Sequence, residues 1–236
     1  MLIEADAKGL EVLGAAYLSN DTILCKELTD GVDIHNENQE KFKLPSRLVA
    51  KTFKFRILYG GTEYGFIADP VFNWISKSDK FWRKVIEAYY NKYQGVHKWH
   101  EQLVKGAMEI GSYTSPTGRR YSYKPYKNRS GEYVWPRTQI LNYPVQGFGA
   151  DLMSIARVSA YKRLKDKVLF INSVHDSILV DSQNSMVYNV CETLENVFVD
   201  VPKNFVKVFN QPFDLPMEGE VKYGPNWKDM EIFKHG

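Results

Sequence analysis

Strand-like runs at the start of this 236-residue chain and in its last third are separated by a long, largely helical region. Residues 2 to 5 are extended in pattern and lead into Asp6, while Val168 to Ile171 and Ile178 to Val180 are apolar runs flanking His175 and Asp176. The second pair reads as a β-hairpin whose turn is the His-Asp dipeptide. Two distant strand ends therefore each present an aspartate. Brought together, two carboxylates can hold cations that activate an attacking hydroxyl and stabilise a leaving oxygen, and cations on a facing helix can neutralise a polyphosphate. The residues that would supply those cations are Arg47 and Lys51, with Phe55 and Tyr59 continuing the same helix. This pattern points to an enzyme acting on nucleotides.

Hydrophobic residues make up 44% of the chain, enough for one large domain or two smaller ones with real cores. The formal net charge of +3 is too mild to establish nucleic-acid binding. Its distribution is uneven: Lys41, Lys43, Arg47, Lys51, Lys54 and Arg56 have only Glu40 as an acidic neighbour, so a local positive field is expected there. Cys25 and Cys191 have no paired spacing, which argues against a disulfide framework or a cysteine metal site and favours a reducing compartment. No apolar run approaches the roughly 20 residues of a membrane span, and a strand follows Met1 almost at once, so no targeting peptide and a cytoplasmic location are expected.

Helical periodicity is predicted after Asp6, with Leu10, Leu13 and Leu18 on the apolar side. Pro45 and Ser46 precede a helix over Arg47 to Tyr59 that Gly60 and Gly61 end. Steps of four residues drift by only about 40° on a helix, so Arg47, Lys51, Phe55 and Tyr59 form one slowly turning stripe. Ser78 is the expected N-cap of a helix from Asp79 that stops near Gly95, and another helix is predicted from Val96 towards Ile110. Gly111 to Tyr123 reads as a hairpin tipped by Arg119 and Arg120, Lys124 to Pro136 as a loop, and Ala150 to Leu164 as a helix with Asp151 near its beginning. One more helix around Met186 to Phe198 and a strand near Met217 to Tyr223 complete the pattern.

Three ordered segments carry a more specific resemblance. LIEADAKGLEVLGAAYLSND is similar to motif A of the family A DNA polymerases, RLVAKTFKFRILYG to their motif B, and SVHDSILVD to their motif C. DIH at Asp33 to His35, GRR at Gly118 to Arg120 and NYPVQGFGADLM from Asn142 add to it. The likeness implies an α+β fold: a palm with an antiparallel sheet (residues 1–24 and 140–236) and an inserted helical fingers subdomain (25–139). It implies two Mg²⁺ ions, with Mn²⁺ able to substitute, held by Asp6, Asp176 and the backbone carbonyl of Ala7. Arg47, Lys51 and His35 would meet the phosphates of an incoming dNTP, Phe55 and Tyr59 its sugar and base, and Glu11 would exclude a ribose 2′-OH. His175, Asn142 and Gln146 would touch the primer end and terminal base pair, and Arg119 and Arg120 the nucleic-acid phosphates.

The implied activity is template-directed DNA synthesis by attack of a primer 3′-OH on a dNTP. A single-subunit RNA polymerase module, which shares the His-Asp-Ser motif, and a non-catalytic nucleic-acid-binding remnant are the alternatives. Ser177 stands where motif C usually has an acid, so altered metal affinity or rate is expected rather than lost chemistry. His97, His100 and Glu101 lack the further ligands a zinc site needs. Because the sequence opens at motif A and ends in EGEVKYGPNWKDM, which is similar to the family's C-terminus, the resemblance suggests the C-terminal piece of a split, bacteriophage-type polymerase. A partner polypeptide supplying the thumb and remaining palm is then expected, alongside primer-template DNA and dNTP.

Overall fold

The computed structural model describes residues 1–235. In chain order the elements are β1 (Leu2–Ala7), α1 (Leu10–Ser19), α2 (Thr22–Thr29), α3 (Ile34–Lys41), α4 (Arg47–Leu58), α5 (Glu63–Ala68), α6 (Asp79–Lys92) and α7 (Gln94–Ile110). They continue with β2 (Ser112–Thr114), β3 (Arg120–Ser122), β4 (Tyr126–Lys127), β5 (Tyr133–Val134) and α8 (Arg137–Leu164). The last are β6 (Val168–Asn172), β7 (Ser177–Ser182), α9 (Val187–Val199), α10 (Val201–Phe209), β8 (Gly219–Gly224) and β9 (Glu231–Ile232). Two compact units result, one from Met1–Leu13 with residues 148–236, the other from Gly14–Gly147.

The first unit is built on an antiparallel sheet of order β6-β7-β1-β8-β9. Its central strand β1 buries Ile3, Ala5 and Ala7 while Glu4 and Asp6 stay partly exposed, the period-two alternation that fixes a strand's register. Helix α9 packs on β1 and β8, with the Phe198 ring so close to Gly219 that a Cβ there would stand 2.3 Å from it. Phe205 of α10 packs against Phe148 and Phe213, at ring-centre distances of 5.5 and 5.0 Å. No helix among the described residues is long and apolar enough to cross a membrane.

The second unit has its core around Phe53 of α4, whose ring meets those of Phe66, Tyr89 and Trp82 at 5.1, 6.0 and 6.3 Å. Val49, Ala50, Phe53, Ile57 and Leu58 form the buried side of α4. Arg47, Lys51, Phe55 and Tyr59 are left on the other side. Ser46 caps this helix by accepting from the Val49 amide, and Gly60 leaves it at φ 78°. Deeper in the unit, Lys92 is paired with Glu27 at 2.7 Å and donates to Asn38 at 3.0 Å, while the Tyr93 hydroxyl donates to Glu27 at 2.7 Å. A buried cation is tolerated because each of its neighbours is also bonded.

Several expectations are corrected. Helix α8 begins at Arg137 rather than Ala150 and runs through Pro144, so Asp151 is mid-helix. Proline removes one rung of the helix; the packing of Ile140, Leu141 and Val145 in a buried cluster with Trp99 and Leu103 holds the N-terminal half in place. Gly95 does not end a helix but lies in the first turn of α7, where a Cβ would stand 2.7 Å from the Cα of Asp21. Lys124 to Pro136 is not simple loop, since β4 and β5 pair there. Helices α2, α3, α5 and α10 were not predicted; α3 buries only Ile34 and Asn38, too little to show a period.

Candidate active site

Asp6 is the penultimate residue of β1, where it lies opposite Ser177 of β7 on one side and Glu220 of β8 on the other. Asp176 occupies the turn that enters β7, and the Ala7 amide donates to its carbonyl at 3.0 Å. Backbone pairing alone thus brings together two acids that are far apart in sequence. Burial, then the charge of Asp176, then that of Glu4, raise the Asp6 carboxyl from 3.8 to about 6; Glu220 adds a little and only Lys222 opposes. Lys222 is itself paired with Glu220 at 2.8 Å. An acidic pair this poorly compensated favours a cation.

No cluster of three or more His, Cys, Asp or Glu suited to a metal exists among the described residues. Mg²⁺ needs no such cage: it keeps several waters and takes one or two carboxylates plus substrate phosphates. Asp6 and Asp176, with the Ala7 carbonyl next to Asp6 in the chain, are a donor set of that kind. Glu11 is partly exposed in the first turn of α1.

The turn before β7 is tightly braced. His175 is exposed and left-handed at φ 51°, a conformation that non-glycine residues seldom adopt. Ser177 is buried, its hydroxyl donating to the Val174 carbonyl at 3.0 Å, while Ser173 donates to the Ser177 carbonyl at 2.9 Å. The side chain at the position following Asp176 thus closes the turn. Arg157 of α8 donates to the His175 carbonyl at 2.6 Å.

In the second unit the α4 stripe has distinct surroundings. The Arg47 Nε donates to Asp33 at 2.9 Å, and the other oxygen of Asp33 caps α3 by accepting from the amides of His35 and Asn36. Burial pushes the Asp33 carboxyl up, but these bonds outweigh it and hold the group below its usual range. His35 is lowered to about 4, first by burial and then by the charges of Lys54, Arg47 and Lys51, against the pull of Asp33. It is neutral at pH 7 and so a hydrogen-bonding group there, not a cation. Lys51 is exposed, its ammonium 5.9 Å from the centre of the Phe55 ring. The Tyr59 hydroxyl accepts from Gln146 at 2.5 Å, which joins the far end of the stripe to α8, where Asn142 is partly exposed. Arg119 and Arg120 are exposed at the β2-β3 hairpin. His100 is buried against Tyr90 and lowered to about 3 mainly by that burial, as a packed core residue is.

Sequence reasoning missed four participants in this geometry. Asp33 had a readable signal, a polar residue at a helix N-cap, but its bond to Arg47 did not. Arg157, Glu220 and Lys222 come into place only through tertiary packing and strand register.

The architecture is that of a polymerase domain. It matches the solved POL domain of Pol1 from M. smegmatis, in complex with DNA primer-template and dNTP, with a TM-score of 0.80 and 22% identity over 96% of this chain and 40% of that one. The chain belongs to DNA polymerase family A, whose sequence model matches residues 1–229. Among curated relatives, DNA polymerase I of Caldicellulosiruptor bescii is 28% identical over 98% of this chain and 27% of its own length. The thermostable DNA polymerase I of Thermus filiformis is 29% identical, again over 98% of this chain and 27% of that protein. The chain thus spans about a quarter of the length of these relatives. Polymerases of this family generally use divalent metal ions.

Proposed function

We propose that this chain carries the nucleotidyl-transfer centre of a template-directed DNA polymerase. The primer 3′-oxygen bonds to the α-phosphorus of a dNTP, the bond from that phosphorus to the β-phosphate oxygen breaks, and pyrophosphate and the hydroxyl proton depart. The observation that carries this reading is the adjacency of Asp6, in β1, and Asp176, in the turn that enters β7, with burial and then the charge of Asp176 raising the Asp6 carboxyl to about 6. The palm corresponds to the unit that holds these acids and the fingers to the unit that holds α4.

Asp6, Asp176 and the Ala7 carbonyl hold two divalent cations, Mg²⁺ or in its place Mn²⁺. When bound, such ions lower the pKa of the attacking hydroxyl and offset charge on the leaving oxygen. Lys51 neutralises charge on the transferred phosphate, and Arg47 grips the outer phosphates. Anchored by its Nε on Asp33, the Arg47 guanidinium still offers its two NH₂ groups in a fixed orientation. Neutral His35 donates to a phosphate oxygen. Phe55 and Tyr59 stack on base and sugar without regard to base identity, and Glu11 fills the space of a ribose 2′-OH. Asn142, Gln146 and His175 contact the primer terminus, and Arg119 and Arg120 the phosphate backbone.

Primer extension with dNTPs and Mg²⁺ tests the reading, run with and without a polypeptide corresponding to the remainder of the relatives. Template-dependent extension that Asp6→Ala abolishes is the expected result. Binding of primer-template with extension untouched by that change would overturn it, and a preference for rNTPs would favour the RNA polymerase alternative. The relatives are longer proteins and do not favour a separate upstream polypeptide over a continuous chain.

A further inference from the structure

Arg157 is hard to account for by packing. It sits in α8 with its Nε buried and meeting no protein acceptor, while the Nη2 donates to the His175 carbonyl at 2.6 Å. A buried, unpaired N–H carries an uncompensated desolvation cost, and an unbranched apolar side chain such as methionine would pack in the same space without it. What the guanidinium grips is a strained peptide, since His175 has φ 51°. Strain of this kind persists only where its surroundings over-determine it. Ser177 and Ser173 tie residues 173 to 177 to one another locally, and the Ala7 amide of β1 holds the Asp176 carbonyl at 3.0 Å; neither engages the His175 carbonyl. Arg157 reaches the turn from 18 positions away, on a helix rather than on the strands it joins.

We propose that Arg157 is a positioning residue: by holding the His175 carbonyl it fixes the turn that delivers the Asp176 carboxylate towards Asp6. The proposal rests on the reading of Asp6 and Asp176 as cation ligands. A residue that orients a metal ligand from behind typically changes metal affinity or activity by about 10- to 100-fold when lost. Arg157→Met keeps the length of the side chain and removes the donor, whereas Arg157→Lys restores a cationic donor.

The test uses the full chain and two readouts other than turnover. One is Mn²⁺ titration followed by electron paramagnetic resonance, and the other is amide hydrogen exchange over residues 174 to 178. In Arg157→Met the Mn²⁺ dissociation constant should rise about tenfold and exchange at Asp176 and Ser177 should accelerate, with the thermal midpoint little changed; Arg157→Lys should recover most of both. Wild-type exchange and wild-type Mn²⁺ affinity in Arg157→Met would overturn the proposal. Lower Mn²⁺ affinity in step with a general loss of protection across the sheet, equal in the Lys variant, would also overturn it, as a merely structural role. Asp6→Asn and Asp176→Asn serve as controls: if neither weakens Mn²⁺ binding, the cation-ligand reading itself fails, whatever Arg157 does.

Discussion

Asp6 ties the chemistry of the site to the stability of the fold. Its carboxyl, raised from 3.8 to about 6 by burial and by Asp176, ionises in the folded chain at a higher pH than in the unfolded one. The unfolded state therefore releases this proton first, so stability from the group is full below pH 4 and is lost as pH rises through 6. In cation-free buffer the thermal midpoint should fall over that window, and Asp6→Asn should remove the fall. After discounting for solvent screening the effect is on the order of 1 kcal/mol, about 2–4 °C for a chain of this size. Divalent cation should cancel the loss above pH 6, because it binds the ionised form. A midpoint that does not move between pH 4 and 7 in scanning calorimetry would contradict this account. The two acids themselves were legible, because each ends a strand-like run inside a distinctive motif. Glu220 and Lys222, which share in setting the Asp6 proton affinity, were not, because only the register of β1 on β8 brings them alongside.

Among the elements, α4 was the most readable: Ser46 at its cap, glycines at its exit and one apolar side, all agreeing on the same span. What the sequence could not reveal is how its first residue is steadied. Asp33 caps α3 with one oxygen and holds Arg47 with the other, so Asp33→Asn keeps a good cap while removing the charge. If extension activity is present, that variant should raise the KM for dNTP several-fold with kcat nearly unchanged; an unaltered KM in steady-state kinetics would show that Arg47 needs no such anchor. Helix α7 was harder to delimit, since Gly95 looks like a terminator. Its real constraint is tertiary: Asp21 accepts from the amides of Gly95 and Val96 at 2.7 and 3.2 Å while its other oxygen caps α2. Gly95→Ala would force a Cβ against Asp21 and should cost about 1–3 kcal/mol, measurable by urea denaturation. Pro144 misled in the opposite direction, as a breaker inside a helix that packing sustains.

At the scale of the whole molecule, the chain's passages between its two units, at Leu13–Gly14 and Gly147–Phe148, both fall inside helices, α1 and α8. This is why composition shows no linker there. The α+β class was legible because the change of period from strand to helix and back is strong, and the family because three motifs keep their order. The sheet order was not, since strands at opposite ends of a chain give no local sign of which neighbour each will choose. In that order β6 stands at an edge, and it turns Leu169 and Ile171 outwards, 68% and 47% exposed. A bare strand margin with greasy side chains is a template for another copy. Concentrated solutions of this chain should therefore self-associate, and Leu169→Lys should suppress the rise in light scattering, leaving Asp6 and Asp176 untouched. Handling the protein at bench concentrations will depend on how that rim is covered.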